Sequence, residues 1–253
     1  MTLYRRLFAL WIGVFSTAAF AQDVAKSWEK GIAYHPGSPA SPQALDQLPA
    51  DKAYPVVVFM HGCDGLVDGR SDSHAWGKML ASQGMLVIMP DSLARIDRQA
   101  SCDPGSGRFG LFPAVHAMRL DELRYATEQV RTQPWFDGKN LILMGFSEGA
   151  VAAVRTRLPG FGGVIATGWS CTHTKFPGMD GVFLAPDIPL LTISHEDDVV
   201  VSSEQNKGSC ANKIAGRAKA MHLAVPGKGH GTYHHAPARE AVARFLKDVI
   251  QPM

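Results

Sequence analysis

The chain has 253 residues, of which 46% are hydrophobic and 19% are charged, and its formal net charge is +2. This balance supports a packed core and excludes a disordered polar chain. The excess charge comes from Arg5 and Arg6, since the other 23 basic residues match 23 acidic residues that all lie beyond residue 21. A chain without a basic excess lacks the attraction that nucleic acid requires, so we expect no nucleic-acid partner.

The first 21 residues have the features of a secretory signal peptide. Two arginines precede an apolar stretch at 7–20, which is shorter than the roughly 20 residues that cross a bilayer. Ala19-Phe20-Ala21 matches the small-residue pattern of a cleavage site. We therefore expect a signal peptide at 1–21 and one domain at 22–253 that is secreted or periplasmic, without stable membrane insertion. An uncleaved N-terminal anchor is the alternative.

The four cysteines are expected to form disulfides if the protein is exported, because oxidising compartments permit disulfides. We favour the pairs Cys63–Cys102 and Cys171–Cys210, since each pair joins loops that we expect at the same end of a sheet. Two other pairings remain open. No C-x-x-C spacing indicates zinc binding or thioredoxin chemistry.

Short apolar runs alternate with helical patterns along the chain. Residues 35–54, rich in proline, serine and alanine, predict a surface loop. Apolar runs that predict strands buried on both faces lie at 55–60, 85–89, 141–144, 164–167, 190–194 and 221–225. Amphipathic stripes predict helices after the polar residues 71–73, over 117–131, from Ala150 to Leu158, and from near Pro237. The alternation predicts an α/β fold with a doubly wound, mostly parallel sheet and helices on both faces.

A G-x-S-x-G sequence follows the strand predicted at 141–144, with Gly145, Ser147 and Gly149 at its fixed positions. Ligands of such sheets bind beyond the carboxyl ends of the strands. A sharp strand-to-helix turn there would hold the serine in a strained conformation, and the glycines would let neighbouring chain approach. We therefore expect Ser147 to be a nucleophile. An ordinary glycine-rich turn is the alternative.

The sequence His61-Gly-Cys63-Asp-Gly65 follows the first predicted parallel strand. Acyl transfer requires two N–H donors directed at the tetrahedral oxyanion. We expect the amides of Cys63 and of Glu148, the residue after the nucleophile, to form this oxyanion hole. A plain glycine turn and a nucleophilic Cys63 thiol are the alternatives, and His61 is expected to orient its loop.

Three consecutive carboxylates, Glu196, Asp197 and Asp198, follow the strand predicted at 190–194. An acid at a strand end can orient a catalytic imidazole and stabilise its protonated form. We favour Asp198, with Asp197 as the closest alternative.

The base is expected after the last predicted strand, where His230 lies between two glycines. His234 and His235 are rivals nearby. The spacing of these three histidines differs from the helical H-E-x-x-H pattern of metal sites, so we expect no metal. Acyl transfer by a serine, a histidine and an acid also needs no organic cofactor, so we expect none.

The chain order Ser147, Asp198, His230 is that of α/β-hydrolases, and the chain resembles this superfamily and, within it, the dienelactone-hydrolase-like family. The resemblance rests on residues 60–65, 145–149, 196–199 and 229–231 and spans roughly 50–250. It implies an α/β-hydrolase fold with a serine triad. The founding dienelactone hydrolases carry a cysteine nucleophile, whereas this chain has Ser147, so the resemblance favours a serine esterase over dienelactone chemistry.

These features favour an exported serine hydrolase that cleaves small carboxylic esters through an acyl-enzyme. A serine peptidase and a non-catalytic binding protein on the same fold are the alternatives. Substrate-binding residues and oligomeric state are not encoded in a recognisable motif. The segment 92–115 carries Arg95, Arg98 and Arg108 together with Phe109 and Phe112. An arginine there would bind a substrate carboxylate if it lined the pocket, although a solvated loop is the simpler interpretation.

Overall fold

An eight-stranded sheet lies at the centre of the structure, a computed structural model that describes residues 23–66, 71–96, 98–103, 113–252 and the backbone of 108–109. The predicted signal peptide lies outside these residues. The strands are β1 (Ile32–His35), β2 (Ser38–Ala44), β3 (Tyr54–Met60), β4 (Leu86–Met89), β7 (Phe136–Phe146), β8 (Gly163–Thr167), β9 (Leu190–Asp198) and β10 (Ala220–Gly229), and the short strands β5 (Cys102–Asp103) and β6 (Arg108–Phe109) pair separately.

The strand order across the sheet is β2-β1-β4-β3-β7-β8-β9-β10. The six strands from β4 to β10 are parallel, and β1 pairs antiparallel with both β4 and β2. All the parallel strands therefore end at the same edge of the sheet.

Helices cover both faces of the sheet. They include α1 (Asp72–Ser82), α2 (Pro113–Arg131), α3 (Glu148–Arg155), α4 (Cys210–Lys213) and α5 (Ala236–Val249). Residues 23–29 are also helical. Alternate strand residues face opposite sides, so Val57 belongs to the core cluster that includes side chains of α1 and α5, whereas Val58 belongs to the cluster with α2 and α3. The predicted doubly wound α/β architecture is confirmed.

The loop predicted at 35–54 is wrong in part, because β2 occupies Ser38–Ala44. This strand is largely exposed and pairs only with β1 at the sheet edge. Proline is tolerated on edge strands, so Pro39 and Pro42 misled the sequence interpretation. The helix predicted from Ala150 also ends earlier than expected, at Arg155.

None of the helices in the described part of the chain is long and apolar enough to cross a membrane.

Candidate active site

Ser147 lies at a sharp turn between β7 and α3. Its backbone has φ 53° and ψ −116°, a left-handed conformation that is uncommon outside glycine. Its N–H donates to the Thr167 carbonyl at 2.8 Å. A Cβ atom at Gly149 would lie 2.0 Å from the Met60 carbonyl oxygen, and one at Gly145 would lie 2.3 Å from the Gly149 oxygen. The glycines are thus required by backbone contact, as the sequence predicts.

A chain of hydrogen bonds links the three side chains that the sequence singles out. Ser147 Oγ lies 2.8 Å from His230 Nε2. His230 Nδ1 lies 2.9 and 3.0 Å from the two carboxylate oxygens of Asp198. Because a carboxylate only accepts, Nδ1 carries the proton and Nε2 accepts from the serine hydroxyl.

Asp198 is held in place by its own loop. Its side chain is buried, and Oδ1 accepts hydrogen bonds from the amides of Val200 at 2.9 Å and Val201 at 3.2 Å. The neighbouring side chains of Glu196 and Asp197 are exposed to solvent. Of the three carboxylates, only Asp198 contacts His230 among the described interactions.

The loop that carries His230 is anchored by residues from two other elements. Asp72 accepts hydrogen bonds from the amides of Thr232 and Tyr233, at 3.2 and 3.1 Å, and burial raises the pKa of this carboxyl. His195 contacts the Gly231 carbonyl at 3.0 Å. The loop around His230 is therefore tied to the start of α1 and the end of β9.

The rival histidines point elsewhere. The His235 ring lies 4.8 Å from the His195 ring, and the His234 ring lies 6.0 Å from that of Tyr233. Neither makes a described contact with Ser147. Within the described residues, no group of three or more His, Cys, Asp or Glu side chains is arranged to hold a metal ion.

The loop after β3 lies directly against the serine turn. A Cβ atom at Gly62 would come 3.0 Å from the Phe146 ring, and Met60 pairs with Gly145 in the sheet. Cys63 forms a disulfide with Cys102, which excludes a free thiol at this position. The second disulfide joins Cys171 to Cys210. Both pairs are those that the sequence favoured.

A cluster of buried charged side chains contacts the loop after β3 and the start of α3. The sequence analysis did not identify this cluster. Arg119 and Glu122 of α2 are both fully buried, and Arg98 forms an ion pair with Glu148 at 2.5 Å. The solvated-loop interpretation is wrong for Arg95 and Arg98, whose side chains are only 1% exposed.

The sequence did contain one signal of these buried charges. Val115, Arg119, Glu122 and Ala126 are all buried, and they follow the i, i+4, i+7, i+11 spacing of one helix face. Two charges of opposite sign on the core-facing side of a predicted helix indicate a buried ion pair.

The mostly parallel sheet, the helices on both of its faces and the residues at the carboxyl ends of its strands define the class of protein. The chain has the α/β-hydrolase fold. Among solved structures it is similar to an esterase from Pyrococcus furiosus, with 16% identity and a TM-score of 0.59 over 79% of this chain and 85% of that chain. It is also similar to a dienelactone hydrolase-like promiscuous phosphotriesterase from metagenomic libraries, with 16% identity and a TM-score of 0.55 over 88% and 98% of the two chains.

A third similar structure is an α/β serine hydrolase without a lid from Xanthomonas campestris, with 15% identity and a TM-score of 0.52 over 80% of this chain and 86% of that chain. No protein-family model matches the sequence, and no curated protein matches it. The resemblance inferred from the sequence is confirmed at the level of the fold.

Proposed function

We propose that this protein is an exported serine hydrolase that cleaves carboxylic esters by way of an acyl-enzyme. The observation that carries the proposal is the hydrogen-bonded series from Ser147 Oγ through His230 to Asp198, with distances of 2.8 and 2.9 Å. This arrangement supports the proposed roles of Ser147 as nucleophile, His230 as base and Asp198 as the acid that orients the base in a Ser-His-Asp triad.

In the first half of the reaction, Ser147 Oγ attacks the ester carbonyl carbon while its proton passes to His230 Nε2. The negative charge that develops on the carbonyl oxygen is stabilised by the amides of Cys63 and Glu148. Asp198 stabilises the protonated imidazole. The intermediate collapses when the carbon–oxygen bond to the leaving alcohol breaks, and His230 gives its proton to that alcohol.

In the second half, a water molecule attacks the acyl-enzyme. His230 accepts a proton from the water, and a second tetrahedral intermediate forms with its oxyanion on the same two amides. Its collapse releases the carboxylic acid and returns the proton to Ser147. Every proton is carried by His230, so the cycle uses no metal or organic cofactor.

Two observations support the substrate class and the compartment. The similar structures include an esterase and a dienelactone hydrolase-like enzyme, which favours small-molecule esters as substrates. The described residues include two disulfides, and such bonds persist in oxidising compartments. We therefore place the protein in the periplasm or outside the cell.

The test is turnover of a panel of nitrophenyl esters with acyl chains of different length, alongside peptide anilides. The proposal predicts ester hydrolysis that Ser147→Ala reduces to background, with slower or no anilide cleavage. Efficient anilide cleavage would favour a peptidase instead. Absence of any Ser147-dependent turnover would support the non-catalytic alternative.

A further inference from the structure

We infer that Arg119 is a positioning residue that holds both amides of the oxyanion hole in place. The inference rests on the proposed function, because an oxyanion hole matters only if Ser147 attacks a carbonyl. It concerns a side chain of α2 that the three-residue triad does not involve.

Arg119 is a fully buried cation, with 0% of its surface exposed. A buried guanidinium is costly unless it is well paired, so its partners are informative. One terminal nitrogen donates to the His61 carbonyl at 2.7 Å. The other lies 3.1 Å from Glu122 Oε2 and 3.3 Å from His61 Nε2. Its Nε lies 3.7 Å from Glu148 Oε1. The guanidinium thus bridges the loop after β3 and the first residue of α3.

The contacts with His61 fix the direction of one oxyanion donor. Burial, followed by the nearby Arg119 charge, holds the pKa of His61 well below its ordinary value, so the ring is neutral. Its Nε2 faces two obligate donors, the Ser92 amide at 3.0 Å and Arg119. The proton must therefore lie on Nδ1, which donates to the Gly62 carbonyl at 2.6 Å.

The Gly62 carbonyl and the Cys63 N–H belong to the same peptide group. The chain contains no cis peptide bond in its described part, and in a trans peptide the carbonyl and the amide hydrogen point in opposite directions. Holding the Gly62 oxygen therefore sets the direction of the Cys63 N–H. Loss of Arg119 would remove the donor to the His61 carbonyl and one of the two donors to its Nε2. The Ser92 amide alone would then hold the ring, so we expect the Gly62–Cys63 peptide to be less restrained.

The second donor is fixed through the side chain of Glu148. This carboxylate is 5% exposed and forms an ion pair with Arg98 at 2.5 Å, a hydrogen bond with Ser101 and an ionic contact with Arg119 at 3.7 Å. Glu148 begins α3 immediately after the nucleophile. The hydrogen bonds with Arg98 and Ser101 hold the carboxylate directly, and Arg119, whose Nε lies beyond hydrogen-bond distance, adds an ionic attraction. Together they restrain the residue whose N–H is the second proposed donor.

Arg95 provides a matched control within the same cluster. Its side chain is also buried, at 1% exposure, and it also contacts Glu122, at 3.4 Å. Its other described contacts go to Asp23 at 2.7 Å and the Met118 carbonyl at 3.0 Å, not to His61 or Glu148. Replacing Arg95 should therefore disturb the cluster without releasing either oxyanion donor.

The experiment compares Arg119→Met, Arg119→Lys and Arg95→Met by kcat, KM, thermal stability and inhibition by an aryl trifluoromethyl ketone. The serine adduct of that ketone carries a negative oxygen in the oxyanion hole. We expect Arg119→Met to lower kcat about 100-fold, comparable to loss of one oxyanion donor, with KM changed less than about threefold. The inhibition constant should rise by a factor similar to the loss in kcat, and Arg119→Lys should be intermediate.

Arg95→Met is expected to lower the melting temperature while kcat stays within about twofold of the wild type. The inference is overturned if Arg119→Met keeps wild-type kcat, or if Arg95→Met loses as much kcat and inhibitor affinity at the same loss of stability. If Arg119→Met does not fold, Arg119→Lys alone carries the test. It should lower kcat about tenfold at unchanged KM, and unchanged kcat would overturn the inference.

The wild-type chain separates this result from failure of the proposed function. A wild-type protein that hydrolyses no ester overturns both. An active wild type with an equally active Arg119→Met overturns only the role of Arg119.

Discussion

Asp198 and Gly229 face each other at the carboxyl ends of the adjacent parallel strands β9 and β10. His230 follows Gly229 directly, so the register of two strands brings the imidazole to within 2.9 Å of the carboxylate. Parallel strands pair in a fixed register that buried side chains specify strongly. The proposed acid and base are therefore positioned by the sheet before the loops contribute.

The first prediction distinguishes the two neighbouring aspartates. Asp198→Asn should lower kcat by about 10³- to 10⁴-fold, because an amide cannot hold the imidazole in the correct tautomer. Asp197→Asn should leave kcat within about twofold, since its side chain is exposed. Steady-state kinetics on one nitrophenyl ester checks both. Equal effects of the two substitutions would contradict the assignment of Asp198.

The second prediction concerns the glycine turn. Gly149→Ala would place a Cβ atom 2.0 Å from the Met60 carbonyl oxygen, so the turn or β3 must shift. We expect a loss of about 3 kcal/mol in the free energy of unfolding. Gly178→Ala is the control, because nothing lies within 4 Å of a Cβ atom there, and its effect should be below about 0.5 kcal/mol. Urea denaturation measures both, and similar losses for the pair would refute the steric explanation.

The third prediction compares the two disulfides, whose cysteines have the same sequence separation, 39 residues. The chain-entropy model assigns each bridge about 4 kcal/mol of stability. Replacing Cys63 and Cys102 with serine should also lower kcat at least about tenfold, because Cys63 supplies a proposed oxyanion donor. Replacing Cys171 and Cys210 should reduce stability with a smaller effect on kcat. The account is in error if both double variants lose kcat equally at matched stability.

The fourth prediction is a pH dependence of stability. Burial, together with the positive charges of Arg155 and Arg119, lowers the pKa of His116 from 6.5 to about 4. The unfolded chain therefore binds more protons at this residue between about pH 6.5 and 4, so the contribution of His116 to folding falls as the pH falls through that range. His116→Gln should lose less stability than the wild type between pH 7 and 4.5. Thermal melts of both proteins check this, and parallel losses would contradict it.

The strands and the candidate site residues could be predicted from the sequence for a physical reason. Parallel strands buried on both faces are continuous apolar runs, and functional groups follow them at one edge of the sheet. Ser147, Asp198 and His230 each come after or at the end of such a run, so position in the chain predicted proximity in space.

The buried charged residues could not be predicted from the sequence in the same way. Arginine is a residue type that is usually exposed to solvent. Burial of the Arg98 and Arg119 side chains is favourable only because Glu148, Glu122 and His61 pair with them. Glu148 and His61 come from elements distant in sequence from both arginines, and single-sequence periodicity does not report such contacts. Glu122 is the exception, because it lies three residues after Arg119 on the same helix face. The edge strand β2 was missed for a related reason, since proline marks both loops and sheet edges.

The most direct test of the central claim is stoichiometric labelling with a fluorophosphonate followed by peptide mapping. The account predicts one label per chain, attached to Ser147, with labelling abolished in Ser147→Ala and strongly slowed in His230→Ala. A wild-type protein that takes no label, or one labelled at another residue while Ser147→Ala keeps full turnover, would contradict it.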